Sequence, residues 1–154
     1  MKPEFAERWP NGLPHAIGAV LMQALRECPA LAGAQVLDNP LRASALHDGQ
    51  RIVFFEDQAD RPRDAVQKRT FEFAIGIINR AGEGARTAAH TDYRAARRVL
   101  REQCMPQLTE AGLKLEGRGL VENEVRYLLE NIDVGGALVQ GLFAVDYRDP
   151  LFKT

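Results

Sequence analysis

The segment from Arg69 to Ile78 constrains the fold more than any other part of this sequence, because it has the pattern of a two-faced β-strand. Large apolar side chains occupy every second position: Phe71, Phe73, Ile75 and Ile77. The positions between them carry polar or small residues: Thr70, Glu72, Ala74 and Gly76. Successive side chains of a strand point to opposite faces of a sheet, so the large residues are predicted to face a core. The small residues would let another element approach the reverse face closely.

A first amphipathic helix is predicted from Leu13 to Leu31. Its apolar residues recur at spacings of three and four: Ile17, Val20, Leu21, Ala24 and Leu25. This spacing lines one face of a helix. Pro14 suits the first turn, where a missing N–H costs nothing. Pro29 is predicted to end the helix, because the residue before a proline avoids the α conformation.

A second helix is predicted from about Ala88 to Gln103. Its apolar stripe is Ala89, Tyr93, Ala96, Leu100 and Cys104. The glycines of Gly82–Gly84 mark a turn before it, and Thr87 is a candidate N-cap. This turn lacks the lysine and the glycine spacing of a nucleotide-binding loop. Pro106 predicts a stop or a kink near the end of the helix.

The remaining strands are shorter or lie near the C-terminus. Residues Gln35–Leu37 and Arg51–Phe55 are rich in β-favouring side chains. The polar segment Glu56–Gln67 that follows is predicted to be a loop. Near the C-terminus, Leu120–Leu129 and Ala137–Tyr147 alternate and are predicted to form a long antiparallel hairpin.

Together these elements predict an α+β fold, in which two one-sided helices pack on an antiparallel or mixed sheet. The 154 residues suffice for one domain with a hydrophobic core. We therefore expect a single domain over residues 1–154, with flexible segments at residues 1–12 and 149–154.

The charge balance disfavours one class of function. Twenty Lys and Arg nearly cancel 21 Asp and Glu, for a formal net charge of −1. A dedicated nucleic-acid-binding protein needs a clear cationic excess, although a local basic patch remains compatible with these numbers. No apolar run approaches the roughly 18 residues of a membrane span. The acidic, Pro-containing start is also unlike a signal peptide, so we expect no membrane partner.

The sequence carries no recognisable catalytic or metal-binding motif. His15, His47 and His90 lie far apart, without a second ligand at helical spacing, and neither HExxH nor CxxC occurs. Cys28 and Cys104 fall near predicted helix C-termini, where the helix dipole disfavours a thiolate, so both are predicted to be structural. Two cysteines fit a reduced, cytosolic setting. We expect no enzyme activity, and no catalytic, cofactor-binding or metal-binding residue.

A pair of carboxylates keeps one enzymatic alternative open. Glu122 and Glu124 are predicted to share a strand face with Arg126, most simply as a charged, solvated edge or interface. Acid–base catalysis by such a pair requires one carboxyl with a raised pKa in an apolar cleft. The alternative is therefore a small α+β enzyme or ligand-binding domain, with a cleft lined by Tyr93, Tyr127 and the two glutamates.

The sharpest charge feature lies on the second predicted helix. Four arginines follow the spacing i, i+3, i+4 and i+7: Arg94, Arg97, Arg98 and Arg101. Their side chains gather on one side of the helix, apart from its apolar stripe. A solvated face is the simplest interpretation. Clustered like charges repel, however, and arginine suits bidentate contacts to carboxylate and phosphate. We therefore favour a partner, either an acidic protein surface or DNA.

The segment Glu56–Gln67 is the second candidate interface. Unstructured loops of this length are uncommon in compact domains and are often functional. Its charges are mixed and suit a complementary surface, including a second copy of the chain. The candidate residues are Asp57, Asp60, Arg61, Arg63 and Asp64.

Four segments in a fixed order carry a resemblance to a known family. They are an amphipathic helix (LPHAIGAVLMQALRECPAL), a hairpin with a polar loop (RIVFFEDQADRPRDAVQKRTFEFAIGI), a central helix (TAAHTDYRAARRVLREQC) and a strand pair ending in VQGLFAVDYR. In this order, from Leu13 to Arg148, the chain resembles the tail terminator proteins of long-tailed bacteriophages, the minor tail protein U-like group. Related head–tail connector and tail completion proteins share much of this plan and are the alternative.

The resemblance implies a structural protein of the virion. Such proteins assemble as a hexameric ring on the end of the tail tube, stop its polymerisation and contribute to head–tail joining. The implied partners are further copies of the chain, the tail tube protein and the head–tail connector protein. The implied location is the tail or neck of the virion, and the host cytoplasm during assembly. Arginines on the inner wall of such a ring would contact DNA non-specifically.

Overall fold

The computed structural model describes residues 5–40, 51–63, 67–80, 82–131 and 136–150. His47 and Asp64 lie outside the described residues, as do residues 1–4 and 151–154 of the two segments predicted to be flexible.

Four α-helices lie in the described part of the chain. They are α1 (Phe5–Arg8), α2 (Leu13–Glu27), α3 (Ala85–Val99) and α4 (Met105–Glu110). Short 3₁₀ turns follow α2 and precede α3, at Pro29–Leu31 and Gly82–Gly84. A π-helical segment, Leu100–Cys104, joins α3 to α4 without a break.

Five strands form one mixed sheet, which confirms the predicted α+β class. They are β1 (Gln35–Asp38), β2 (Arg51–Pro62), β3 (Lys68–Asn79), β4 (Leu115–Asn131) and β5 (Gly136–Arg148). The order across the sheet is β1-β2-β3-β5-β4, with β1 parallel to β2 and the other pairs antiparallel. The predicted C-terminal hairpin is therefore confirmed, in a longer form.

The predicted alternation along the central strand is confirmed. Phe71, Phe73, Ile75 and Ile77 are all buried in the main core. Phe73 lies at the centre of an aromatic cluster, with its ring centroid 5.3 Å from Phe55, 5.3 Å from Phe71 and 5.5 Å from Phe143. Both long helices cover this face, because α2 packs on β1 and β2 while α3 packs on β3 and β5.

The reverse face of β3 has the predicted close approach, and the approaching group is an aromatic ring of the adjacent strand. Phe54 of β2 is paired with Gly76 of β3. Its ring lies over the glycine, so that any Cβ at position 76 would collide with the ring. Phe54 forms a second buried cluster there with Ile52 and Ile78.

The Gly76→Ala substitution is expected to lower the free energy of unfolding by about 1–3 kcal/mol, because the added methyl overpacks a buried site. Urea denaturation measures the change. Gly84→Ala is the matched control, since a Cβ at position 84 meets nothing within 4 Å and the backbone φ there is −82°. Equal losses for the two variants would contradict the packing of Phe54 on Gly76.

The prediction of a loop over Glu56–Gln67 is wrong for the part from Glu56 to Pro62, while residues 64–66 lie outside the described residues. β2 continues to Pro62 and pairs along its length with β3, with one bulge between Asp57 and Ala59. Its polar side chains have cross-strand partners: Asp60 with Arg69 at 3.0 Å and Arg61 with Glu72 at 3.4 Å. Polar residues at alternate positions are compatible with a strand when opposite charges face each other across the ladder.

Helix boundaries differ from prediction at three points. The second long helix begins at Ala85 with Gly84 as its N-cap residue, so the N-cap prediction for Thr87 is wrong. It does not stop near Pro106, which occupies the first turn of α4 after the π-helical segment. A locally widened turn accommodates a residue without an N–H donor. α2 ends at Glu27, four residues short of the predicted end at Leu31, because Pro29 stops it and Pro29–Leu31 form a separate 3₁₀ turn.

Candidate functional site

The outer face of α3 and the π-helical segment carries a row of exposed arginines, here called the arginine surface. Its members are Arg86, Arg94, Arg98 and Arg101. None of the four lies within 4 Å of a carboxylate oxygen among the described residues. Three of these residues were predicted from the helical spacing, whereas Arg86, which lies two turns before Arg94 on the same face, was not.

α3 provides no acidic side chain to neutralise this surface. Its one carboxylate, Asp92, is buried on the inner face. There it accepts hydrogen bonds from Arg51 of β2 at 3.0 and 3.1 Å. Arg51 also donates to the carbonyl groups of Ala30 and Ala32. This pairing fixes α3 against the sheet and leaves no carboxylate of α3 itself on the outer face, while the exposed Glu102 of the adjoining π-helical segment follows Arg98 by four residues.

Arg97, the fourth arginine of the predicted stripe, has a different environment. Its guanidinium lies 3.3 Å from a carboxylate oxygen of Glu122 and 5.7 Å from the ring centroid of Tyr93. Tyr93 donates a hydrogen bond of 2.8 Å to the same carboxylate. Arg97 therefore ties α3 to β4 and is already neutralised within the chain.

Tyr93 reaches Glu122 by crossing over a glycine of β5. A Cβ at Gly141 would collide with the Tyr93 side chain. Burial, and then the adjacent Glu122, raise the pKa of Tyr93 well above its usual value. The phenol is thus held as a hydrogen-bond donor at neutral pH and is not poised to act as a base.

The Tyr93→Phe substitution is expected to lower the free energy of unfolding by about 1–3 kcal/mol, because it removes a hydrogen bond to a partly buried carboxylate. Chemical denaturation measures the loss. Tyr127→Phe serves as the control, because the Tyr127 side chain is half exposed and is expected to change stability by less than about 0.5 kcal/mol. A neutral Tyr93→Phe would show that this bond does not hold α3 on β4.

The prediction that Glu122 and Glu124 share a strand face is wrong. Glu122 is paired with Phe143 and Glu124 with Leu142, so one extra residue, Asn123, is bulged out between them. A bulge of one residue reverses the alternation of faces. Glu122 therefore points toward α3, while Glu124 is solvent-exposed and pairs with Arg126 at 3.2 Å. The two carboxylates do not converge on a cleft.

A shallow depression lies on the arginine surface near the exposed ring of Tyr127. It encloses about 240 Å³ and is lined by Arg86, Arg94 and intervening residues of α3. His90, one of these residues, stacks on Tyr127 of β4 with ring centroids 5.0 Å apart. The arginine surface thus extends toward the β4 edge of the sheet.

A second depression, here called the acidic groove, lies between α2 and the β1–β2 edge. It encloses about 120 Å³. Two exposed aspartates, Asp38 and Asp57, stand at its rim, and its wall includes Met22 and Phe55. Asn39 joins the aspartates, since its side-chain nitrogen donates to Asp38 at 2.6 Å and to Asp57 at 3.1 Å.

The carboxylates of the groove form no ion pair with an Arg or Lys among the described residues, and His15 lines the same groove. In the described part of the chain, neither Asp38 nor Asp57 forms an ion pair. Partial burial raises the pKa of Asp57 above its usual value, as does the charge of Asp38, against the lowering effects of Asn39 and His15. Asn39 has a left-handed backbone, with φ of 43°. That conformation is tolerated best by Asn and Asp among residues with a side chain.

The other candidates from Glu56–Gln67 are used within the chain. Asp60 accepts hydrogen bonds from Tyr147 at 3.0 Å and from Arg69 at 3.0 Å. Arg63 lies 3.9 Å from Asp146, and Arg61 pairs with Glu72 as described above. Asp57 is the candidate from this segment whose charge is left without an opposite partner among the described residues.

The structure adds three findings on cofactor, thiol and membrane chemistry. In residues 5–40, 51–63, 67–80, 82–131 and 136–150, no group of three or more His, Cys, Asp and Glu is arranged to hold a metal ion. Both cysteines are free, and burial raises the pKa of the Cys104 thiol to about 12. None of the described helices has the length and apolar character needed to cross a membrane.

Comparison of the chain with family models and with curated proteins gives no match. The functional interpretation therefore depends on the order of elements, on the arginine surface and on the acidic groove.

Proposed function

We propose that this chain is a non-enzymatic assembly protein of a phage virion, a tail terminator that forms a ring on the end of the tail tube. In this role it stops polymerisation of the tube and contributes to joining the tail to the head connector. Its place is the tail or neck of the virion, after assembly in the host cytoplasm. The observation that carries the proposal is the arginine surface.

An exposed row of cations that form no ion pair with the described residues suits a contact surface. Arg86, Arg94, Arg98 and Arg101 repel one another, so the isolated chain carries a small cost that an anionic partner would relieve. Arginine is also the residue best suited to bidentate contacts with carboxylates. A protein that functions by assembly gains from such a surface, because the contact forms in the complex.

The side chains of the enzymatic alternative do not support catalysis. Glu122 is engaged by Tyr93 and Arg97, and Glu124 lies on the opposite face of β4. Acid–base catalysis by such a pair requires both carboxyls to face one substrate-binding cleft. We therefore favour assembly over an enzyme or a ligand-binding domain.

Binding to a tail tube tests the proposal. The purified chain is added to polymerising tube protein encoded by a neighbouring gene, and tube length is measured by electron microscopy. We expect shortened tubes that carry one extra density at an end. Tubes of unchanged length, with no bound chain after sedimentation, would contradict the proposed function.

A further inference from the structure

The arginine surface and the acidic groove lie toward opposite edges of the sheet. The groove adjoins β1 and β2, whereas α3 packs on β3 and β5 and reaches β4 through Tyr93 and His90. Three strand spacings of about 4.8 Å separate β1 from β5. The two surfaces are therefore too far apart to meet within one chain, and they face different neighbours in an assembly.

On the basis of the proposed ring function, we infer that the arginine surface of one copy binds the acidic groove of the next copy. One patch meeting a different patch is a heterologous contact, which forms a ring when the rotation between copies closes. Each chain brings one cationic and one anionic surface, so every interface in the ring is matched in charge. The near-neutral total of −1 fits this arrangement.

The groove has the chemistry of an arginine-binding site. Pro14 and Ala19 provide accessible apolar surface in its wall, on which the aliphatic part of an arginine side chain packs favourably. Asp38 and Asp57 contact the same Asn39 nitrogen, so their carboxylates form a close pair at the rim. A planar guanidinium matches such carboxylates with two parallel hydrogen bonds.

Arg94 and Arg98 are the residues assigned to the groove. Both are exposed, and they lie one turn apart in the middle of the arginine surface. Their spacing of i and i+4 places the side chains next to each other, so that two guanidinium groups face two carboxylates.

A second copy of the chain would bind both charged surfaces, whereas DNA would bind only the arginine surface. DNA phosphates would satisfy the arginines but would leave Asp38 and Asp57 without an arginine or lysine partner among the described residues. They would also be repelled by the acidic groove wherever the two came close. A second copy satisfies both surfaces at once, and this difference favours protein over nucleic acid as the partner of Arg94 and Arg98.

Charge reversal of the two surfaces tests the inference. One variant, Arg94→Glu with Arg98→Glu, has two acidic surfaces. The other, Asp38→Arg with Asp57→Arg, has two basic surfaces. We expect each alone to lose the wild-type assembly in sedimentation velocity. An equimolar mixture is expected to regain it, because the two variants then alternate around an even-numbered ring.

The control variant Arg26→Glu with Lys114→Glu reverses the same number of exposed cations outside the arginine surface and should assemble like the wild type. Where a reversal variant loses its circular dichroism signal, the neutral pair Arg94→Gln with Arg98→Gln and the pair Asp38→Asn with Asp57→Asn replace it. Each neutral pair is expected to weaken association about 30-fold or more.

The outcomes separate the inference from the proposed function. Reversal variants that assemble like the wild type, or a mixture that stays dissociated, would overturn the inference and leave the ring to other contacts. A 30-base-pair DNA duplex bound by the wild type and lost in Arg94→Glu with Arg98→Glu, at unchanged assembly, would assign the arginine surface to nucleic acid instead. A wild-type chain that never assembles would contradict the proposed function itself.

Discussion

Replacing Phe73 with alanine is expected to lower the free energy of unfolding by about 3–5 kcal/mol, the usual cost of removing a fully buried aromatic side chain. Phe73 has no exposed surface and stacks on Phe55, Phe71 and Phe143. It lies on β3, which is paired on both sides, so the surrounding backbone has little freedom to collapse into the cavity. Urea denaturation followed by circular dichroism measures the loss.

Leu128→Ala is the control for this experiment. Leu128 is also a large apolar residue on a strand, but 47% of its surface is exposed. Its replacement is expected to change stability by no more than about 0.5 kcal/mol. A Phe73→Ala loss below 1 kcal/mol would contradict the placement of the aromatic cluster at the centre of the core.

Removing Asp146 is expected to have the second large effect, about 3 kcal/mol or more for Asp146→Ala, because cations would be left near a buried site without their anion. Asp146 is buried in β5 and accepts hydrogen bonds from the Thr70 hydroxyl at 2.6 Å and the Arg118 N–H at 3.1 Å. Arg63 lies 3.9 Å from the same carboxylate. Glu124→Ala, at an exposed ion pair, is the control and should cost less than about 1 kcal/mol.

The contribution of Asp146 to the free energy of unfolding depends on pH, and the groups around its carboxylate set the direction of that dependence. Burial by itself raises the pKa of Asp146, but the bonds from Thr70 and Arg118 and the charges of Arg63 and Arg118 outweigh it, and the pKa falls below its ordinary value of 3.8. A carboxyl with a lowered pKa in the folded state contributes stability above its unfolded pKa, and that contribution disappears as pH falls through the folded value.

The difference in stability between the wild type and Asp146→Asn should accordingly be constant from pH 7 to about pH 5 and shrink below about pH 4. Denaturation midpoints at several pH values measure it. A difference that grows toward acid pH would contradict the assigned environment of Asp146.

The sequence allowed good prediction of the elements whose pattern repeats. The alternation of Phe71 to Ile77 identified the core face of β3, and the spacing of apolar residues identified the inner faces of α2 and α3. These patterns are strong because burial acts on every second or every third to fourth residue. Pro29 predicted the end of α2 reliably, because a proline disfavours the α conformation of the residue directly before it.

The errors came from features that depend on the neighbouring strand. The bulge at Asn123 separates Glu122 from Glu124, and the sequence of β4 alone gives no sign of it. The polar residues of β2 resemble a loop until Arg69 and Glu72 of β3 are placed opposite them. The pairing with a neighbouring strand, and not the local composition, therefore determined the conformation of these two segments.

Of the two surfaces that form the candidate site, the arginine surface could be predicted from the sequence and the acidic groove could not. The arginine surface follows from helical spacing, apart from Arg97, whose partner Glu122 lies on another element. The acidic groove was out of reach, because Asp38 and Asp57 meet only through the parallel pairing of β1 with β2. Contacts between residues distant in sequence cannot be read from the spacing along one element.

The mass of the purified wild-type chain in solution tests the central claim most directly, that this protein functions by binding copies of itself. Multi-angle light scattering is measured from low to high micromolar concentration at moderate salt, alone and with tube protein. We expect a species containing six chains of 17.1 kDa, at least at high concentration or with tube protein. A single chain under every condition, with no binding to the tube, would contradict the claim.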